Sequence, residues 1–486
     1  MIPFSLAELA AAMAGRLSGG ANPAAPVTGP VVIDSREVVP GAVFVALPGE
    51  HVDGHDFART AHQAGAVVTI ATREVGVPAL LVDDPVQALG LLARALLDRL
   101  PAVRVVGITG SSGKTSTKDL VAGLLERLGP TVAPPGSLNN ELGVPLTVLR
   151  ATEDTRFLVL EMGARGRGHI DYLCRIAPPT VGVVVGVGTA HLGEFGSREA
   201  IAEAKAELVR ALPPGGLAVL NADDEVVAAM AAQTPARAVL AGRDMRAGVR
   251  VTDLELDDQA RPRFTLHADG DRVPVALALH GDHHATNAAL AAAVALDAGM
   301  SPAEVARVLG EQVPRSRWRM EVRTRADGLT VVNDAYNANP DSTRSAVRTL
   351  VAMAGSGGTA RRSWAVLGEM RELGADSVHE HEEIGRLTAA AGVDRVIAVG
   401  EPTRPLALAA GERAVWVADP REATAFLTDR VGAGDVVLLK ASRAVGLERV
   451  AEDLLTAGAG AGTGAGAGVG VVAGAGTAGR GSGGTR

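Results

Sequence analysis

Residues 103–119, VRVVGITGSSGKTSTKD, constrain the fold more than any other stretch of the chain. A short apolar run rich in β-branched residues breaks into a Gly/Ser turn and then a helical pattern, which predicts strand, loop and helix in succession. In such a loop Gly110 and Gly113 let the backbone approach a phosphate closely, and successive N–H groups and the helix N-terminus supply positive charge. Lys114 would reach the outer phosphates and the Thr115 hydroxyl would hold Mg²⁺. The pattern G-x-x-x-x-G-K-[ST] is missed by one place, since its first glycine would fall on Ile108 and the nearest is Gly107. The plain alternative is a Gly-rich turn with a solvated lysine; the flanking strand and helix favour the phosphate loop.

At 486 residues the chain is long enough for roughly two to four domains. Its net charge of -8 and 2% aromatic content argue against nucleic acid, so a bound nucleotide must be gripped by local donors. The single cysteine, Cys174, excludes an internal disulfide framework and a Cys-based zinc site, and suits a reducing compartment. The N-terminus lacks the basic region of a signal peptide, and Ser5 with Glu8 reads as a helix capping box. No apolar run is long and Gly-poor enough to span a membrane, so a cytoplasmic monomer is expected.

The chain reads as α/β with three domains. Residues 1–100 form a small α/β unit, with strand patterns at 31–33, 43–47 and 66–70 and helical ones near 57–63 and 88–100. There Ser35 and Arg36 follow a strand, where they would grip a polar ligand head or simply close a turn with Asp34. Residues 101–313 alternate strands with helices, predicting a mostly parallel sheet. Its strands run into Glu161, His191 and residues 221–224, polar groups at the edge where ligands collect. Residues 249–279 alternate like antiparallel strands and read as a hairpin-rich insertion. His283, His284 and Asn287 follow, as nucleotide contacts or caps of an Ala-rich helix. Residues 314–456 read as a Rossmann-like domain without a dinucleotide glycine fingerprint, and residues 457–486, nearly all Gly and Ala, as a disordered tail.

Helical phase singles out one lysine. Over 197–212, Ile201, Leu208 and Leu212 line one stripe and Glu203, Glu207 and Arg210 lie opposite, which turns Lys205 inward. Snorkelling to a domain edge is the alternative. A buried lysine has its neutral amine favoured, and a neutral amine can be modified.

The motifs TGSSGKTSTKD, SLNNELGVPLTVL, EMGA, TAHLGEFGS, AKAEL, NDAYNANPDS and GEMRELG, in this order, resemble those of the Mur ligases, from about residue 33 to 455. The resemblance implies an N-terminal domain for a UDP-sugar substrate, a central ATPase domain and a C-terminal domain that helps bind ATP and the incoming amino component. It implies an ATP-dependent amide ligase adding D-alanyl-D-alanine to UDP-MurNAc-tripeptide, through an acyl phosphate, to give UDP-MurNAc-pentapeptide for peptidoglycan synthesis. Carried over by motif, Gly110, Ser111, Ser112, Gly113, Lys114, Thr115 and Ser116 would cradle ATP, with Asn287, Arg319 and Asp334 holding the nucleotide. Thr115 and Glu161 would bind one Mg²⁺, and His191 with a carbamylated Lys205 would help position a second. Ser35 and Arg36 would contact the UDP end, and Asn139 and Asn140 the substrate; Asn337, Asn339, Lys440 and Ser442 lie where D-alanyl-D-alanine would enter. The chain has Gly186, Ser137 and His169 where family members often carry Asn, Asn and Glu, and its Glu194 sits one place later than usual. Against this stand a P-loop GTPase or kinase, a sibling ligase adding a single amino acid, and a non-catalytic relative. Residues 221–224 imitate a guanine-reading N-K-x-D, with Ala222 in place of lysine.

Overall fold

The β-branched run ahead of the phosphate loop forms the strand Arg104–Thr109, buried from Val105 onward. The computed structural model describes residues 1–49, 52–189, 192–355 and 361–457; His191 and the tail beyond residue 457 lie outside them. Arg104–Thr109 lies inside a nine-stranded sheet, parallel to Val181–Val184 on one side and Phe157–Glu161 on the other. The chain goes first to the Phe157–Glu161 side and then crosses to Val181–Val184, so the loop after Thr109 opens at a topological switch point. Register puts Glu161 level with Ile108, which brings its carboxylate beside the loop.

The strand that leads toward His191 ends at Val184 because side chains claim the backbone beyond it. Asn221 donates to the Val185 carbonyl (2.7 Å), Asp224 accepts the Val187 N–H (2.8 Å) and Ser111 accepts the Gly188 N–H (2.9 Å). The antiparallel hairpins expected after residue 249 form, and they extend the same sheet. Val249–Leu256 pairs with Arg237–Gly242, and Pro262–Ala268 and Asp271–Ala276 continue the same sheet as antiparallel strands, satisfying an edge otherwise left open.

Each face of this sheet carries one helical layer. On one, Lys114–Leu125 and the Ala-rich His283–Asp297 share a core with Val106, Ile108 and Val183. On the other, Arg198–Arg210 is capped by Ser197 and buries Ile201, Ala204, Lys205 and Leu208, as its phase predicts. Gly107 and Gly182 pair across neighbouring strands and form its seat, since a Cβ on Gly107 would lie 2.9 Å from Leu208 Cδ1.

This second core continues into the N-terminal region through the helix Pro85–Asp98. That region holds the strands Val31–Val32, Val43–Val45 and Val68–Ala71, joined by Ala79–Leu81 and Arg16–Ser18, which the hydrophobic pattern did not reveal. The capping box forms, with Ser5 accepting the Glu8 N–H (3.2 Å) and Glu8 the Ser5 N–H (2.7 Å). The C-terminal sheet has the parallel strands Thr330–Asn333, Val436–Lys440, Ser363–Gly368, Arg395–Val399 and Ala414–Val417 and an antiparallel edge, Glu321–Thr324, with apolar cores on both faces. Among the described residues no helix is long and apolar enough to cross a membrane.

Filling the glycine seat tests this packing. Gly107→Val is expected to push Arg198–Arg210 off the sheet and cost about 1–3 kcal/mol, read as a lower thermal unfolding midpoint. An unchanged midpoint would mean that the helix does not rest there.

Candidate active site

The carboxyl ends of the central strands open into a cleft of about 1060 Å³. Its lining draws on the phosphate loop, Glu161, Asn221, Asp223, Asp224, Asn287, Arg319 and the C-terminal strand ends around Asp334 and Lys440. Gly113, with φ +80°, starts the helix Lys114–Leu125, and a Cβ there would press on Val185 and Asn287. A glycine is required at this turn. Lys114 folds back over the loop and donates to the Gly110 carbonyl at 2.7 Å. Burial pushes its ammonium below the ordinary value while Glu161 pulls the other way.

Glu161 is 1% exposed, yet each carboxylate oxygen has donors. Thr115 donates to Oε2 at 2.8 Å; Ser137 and Asn139 each donate to Oε1 at 2.6 Å. Burial works against its charge, but Lys114, Ser137, Arg319 and Asn139 together hold the carboxyl below its ordinary value. A carboxylate and a hydroxyl in contact beside a phosphate loop form a hard-oxygen donor set, which fits Mg²⁺ completed by phosphate oxygens and water. Among the described residues no three of His, Cys, Asp and Glu gather around one point.

Arg319 reaches in from the C-terminal side, donating to Thr115 Oγ1 at 3.2 Å and stacking on Tyr336 with 4.2 Å to the ring centroid. Two buried donors beside it lack a protein partner, Arg319 Nε and Asn287 Nδ2. Orphaned donors in a cleft of this size are groups that a polar ligand would satisfy. Asp334 accepts from Lys440 Nζ (2.6 Å) and from the Met320 N–H (3.1 Å), so it anchors the backbone next to Arg319. Lys205 is not among the described groups lining the cleft; it is 3% exposed, and burial with the charge of Lys114 pushes its ammonium down to about 7.

The other residues expected at the site make these contacts within the protein. Asn139, expected on the substrate side, holds Glu161, and Asn140 accepts the Gly143 N–H (2.9 Å), although both line the cleft. Asn339 caps the helix Pro340–Gly355 by accepting the Ser342 N–H (2.8 Å), and Asn337 Oδ1 accepts the Ala338 N–H (2.9 Å). Lys440 is buried against Asp334 and the Asn337 carbonyl, and Ser442 Oγ accepts the Arg371 N–H (3.0 Å). Ser35 opens a 3₁₀ turn capped by Asp34, which also pairs with Arg36; neither Ser35 nor Arg36 is among the lining residues, whereas the adjacent Ile33 is.

The helix His283–Asp297 starts without a side-chain cap, which removes capping as the task of its histidines. His283 instead meets Ser345 Oγ at 3.0 Å, and burial keeps both histidines below their usual pKa. Within residues 221–224, Asn221 and Asp224 serve the Val185–Val187 backbone, and Asp223 accepts from Thr286 (2.8 Å). Ser137 and Tyr336 were not singled out as site residues by the sequence, although Ser137 opens SLNNELGVPLTVL at a position where family members often carry Asn, and Tyr336 stands inside NDAYNANPDS.

Two consequences are measurable. Lys440→Met leaves a buried carboxylate uncompensated and is expected to cost about 3–5 kcal/mol in chemical denaturation, most of it regained in Lys440→Met/Asp334→Asn. For Lys205, the native value of about 7 lies below the ordinary lysine value. Between the two the unfolded chain binds a proton that the native state lacks, so stability rises with pH; the penalty is fully present below pH 7. In carbonate-free buffer Lys205→Met is expected to exceed the wild type by up to about 5 kcal/mol below pH 7, the gain shrinking toward pH 10. A gain independent of pH would contradict the assignment.

The chain matches three family models: "Mur ligase family, catalytic domain" over residues 30–96, "Mur ligase middle domain" over 108–295, and "Mur ligase, glutamate ligase domain" over 318–443. It is 50% identical over 471 residues to the UDP-N-acetylmuramoyl-tripeptide–D-alanyl-D-alanine ligase of Mycobacterium tuberculosis, covering 88% of this chain and 92% of that one. With the enzyme of that name from Escherichia coli it shares 33% identity over 467 residues, 94% of this chain and 100% of the other. Among solved structures, MurF from Acinetobacter baumannii superposes with a TM-score of 0.84 at 32% identity, covering 93% of this chain and 99% of that one. MurF ligase from Thermotoga maritima, solved in complex with ADP, gives 0.77 at 32% identity over 89% and 98%. The phosphate loop, the carboxylate beside it and the arginine from the C-terminal sheet are thus set in a fold shared along nearly the whole length with these ligases, and the chain belongs to the Mur ligase family.

Proposed function

We propose that the protein is an ATP-dependent ligase that joins D-alanyl-D-alanine to UDP-MurNAc-tripeptide, giving UDP-MurNAc-pentapeptide for peptidoglycan synthesis. The observation that carries this reading is the contact between Thr115 and Glu161, 2.8 Å apart beside Lys114 in a cleft large enough for several substrates. The names of relatives spanning nearly the whole chain and the ADP bound to the Thermotoga enzyme support it. In this reading residues 1–100, 101–313 and 314–456 are the substrate, ATPase and C-terminal domains of a cytoplasmic monomer.

A carboxylate does not condense with an amine at neutral pH, so the acid must first be activated. The tripeptide carboxylate attacks the γ-phosphoryl group of ATP in line, giving an acyl phosphate and ADP. The dipeptide's free amine then attacks the acyl carbon, and phosphate leaves as the amide forms. Gly110 to Ser116 cradle the phosphates, Lys114 neutralises the transferring group, and Asn287, Arg319 and Asp334 hold the nucleotide. Thr115 and Glu161 would hold Mg²⁺, with His191 and Lys205 serving a second ion; the metal neutralises phosphate charge. Lys205 suits this role as a carbamate: its amine, neutral in large part near pH 7, would add to CO₂ and lose a proton. Ser35 and Arg36 would meet the UDP end, Asn139 and Asn140 would face the peptide, and Asn337, Asn339, Lys440 and Ser442 would shape the dipeptide entrance.

A phosphate-release assay with purified protein, omitting each substrate in turn, tests the reading. ADP and phosphate are expected only when ATP, Mg²⁺, UDP-MurNAc-tripeptide and D-alanyl-D-alanine are all present, with Lys205→Ala losing most of the rate. Turnover with GTP alone, or with diaminopimelate or lysine in place of the dipeptide, would assign another activity.

A further inference from the structure

One buried cation in the nucleotide-binding half has no part in the chemistry described above. Lys118 lies one turn beyond Lys114 on the helix Lys114–Leu125, and its side chain is only 1% exposed. An ammonium carries three donors, and three oxygens surround this one. They are the Pro134 carbonyl at 2.8 Å, the Gly136 carbonyl at 3.0 Å and Asp119 Oδ1 at 2.8 Å. Two of the three belong to the turn at residues 134–136, where Gly136 has φ +63°. The next residue is Ser137, and two further on is Asn139.

We propose that Lys118 is a positioning residue for the metal-binding carboxylate: its amine holds the turn at residues 134–136 so that Ser137 and Asn139 reach Glu161. The helix thereby controls both oxygens of that carboxylate. Thr115, on its first turn, donates to Oε2 directly, and Lys118, one turn later, acts on Oε1 through the loop. Without the amine, two carbonyls lose their buried donor and the turn has reason to move toward water. The loop has one other side-chain brace close by, Arg150 on the Ala133 carbonyl at 3.0 Å, and it is exposed. Asp119 extends the network, since its second oxygen accepts from Ser316 Oγ at 2.7 Å, three residues before Arg319. Solvation of the long side chain would be the ordinary use of a helix lysine; burial against three oxygens excludes it here.

The inference rests on Glu161 binding Mg²⁺, and the experiment separates the two. Affinity of the full chain for a fluorescent ADP analogue is measured in EDTA and over a Mg²⁺ titration. In the wild type Mg²⁺ should tighten binding; if it has no effect, the metal reading of Glu161 fails, and this inference with it. In Lys118→Met, affinity in EDTA should stay within about twofold while the half-saturating Mg²⁺ concentration rises roughly tenfold or more, as for partners that orient a metal ligand. In turnover the same variant should show a raised KM for Mg²⁺ with kcat largely recovered at saturation. An unchanged Mg²⁺ requirement, or equal losses of affinity with and without metal, would overturn the proposal. Should Lys118→Met not fold, Ser137→Ala/Asn139→Ala carries the test: it must show the same metal defect, and wild-type behaviour would refute the role.

Discussion

The buried Glu161 carboxylate is the constraint on which the rest of the site depends. A charge at 1% exposure is tolerated only if paired and hydrogen-bonded. Here Thr115 comes from the phosphate-loop helix, Ser137 and Asn139 from the following loop, and Arg319 acts from across the C-terminal linker. Satisfying one side chain therefore aligns three segments far apart in sequence. The parallel register that sets Glu161 level with Ile108 is what makes this possible.

The linker that delivers Arg319 shows how the C-terminal sheet joins in. Trp318 and Met320, on either side of it, have φ of +58° and +48°, a region that costs non-glycine residues about 1–3 kcal/mol each. Partners hold both in place: Glu321 accepts the Trp318 N–H, Arg443 stacks on the Trp318 ring, and Asp334 accepts the Met320 N–H. Asp334 is in turn fixed by Lys440 from the neighbouring strand. The strained pair turns the guanidinium between them toward Thr115, and the Asp334–Lys440 pair carries the position of the C-terminal sheet into the phosphate site.

Local pattern revealed whatever depends on nearby residues. The strand, turn and helix around Lys114, the capping box of Ser5 and Glu8 and the inward phase of Lys205 each follow from a few consecutive side chains, and the structure has them. What stayed hidden depends on choice among chemically equal partners. An asparagine after a strand can cap a helix as well as bind a ligand, and Asn339 caps. Asn139 bonds a carboxylate of its own chain for the same reason. Alternation over residues 249–279 gave strands but could not say that the first would pair with Arg237–Gly242, because that pairing is decided by the backbone groups the neighbouring strand leaves open and not by the strand's own sequence.

Lys114, half-buried at the cleft, and the buried Lys205 divide their electrostatics unequally. On Lys114 burial disfavours the proton, but Glu161 favours it, so this amine has a reason to keep the charge that a transferring phosphoryl group requires. On Lys205 burial and the charge of Lys114 act in the same direction, and the ammonium falls to about 7. The glycine seat formed by Gly107 and Gly182 draws the helix Arg198–Arg210 close enough to the sheet for this burial. Close packing of a helix thus has a chemical result several residues along it: on Lys205, an amine whose neutral, nucleophilic form is accessible at neutral pH. An anionic group on Lys205, as proposed, would turn the unfavourable charge of Lys114 into a favourable one, which ties the tight seat to that proposal.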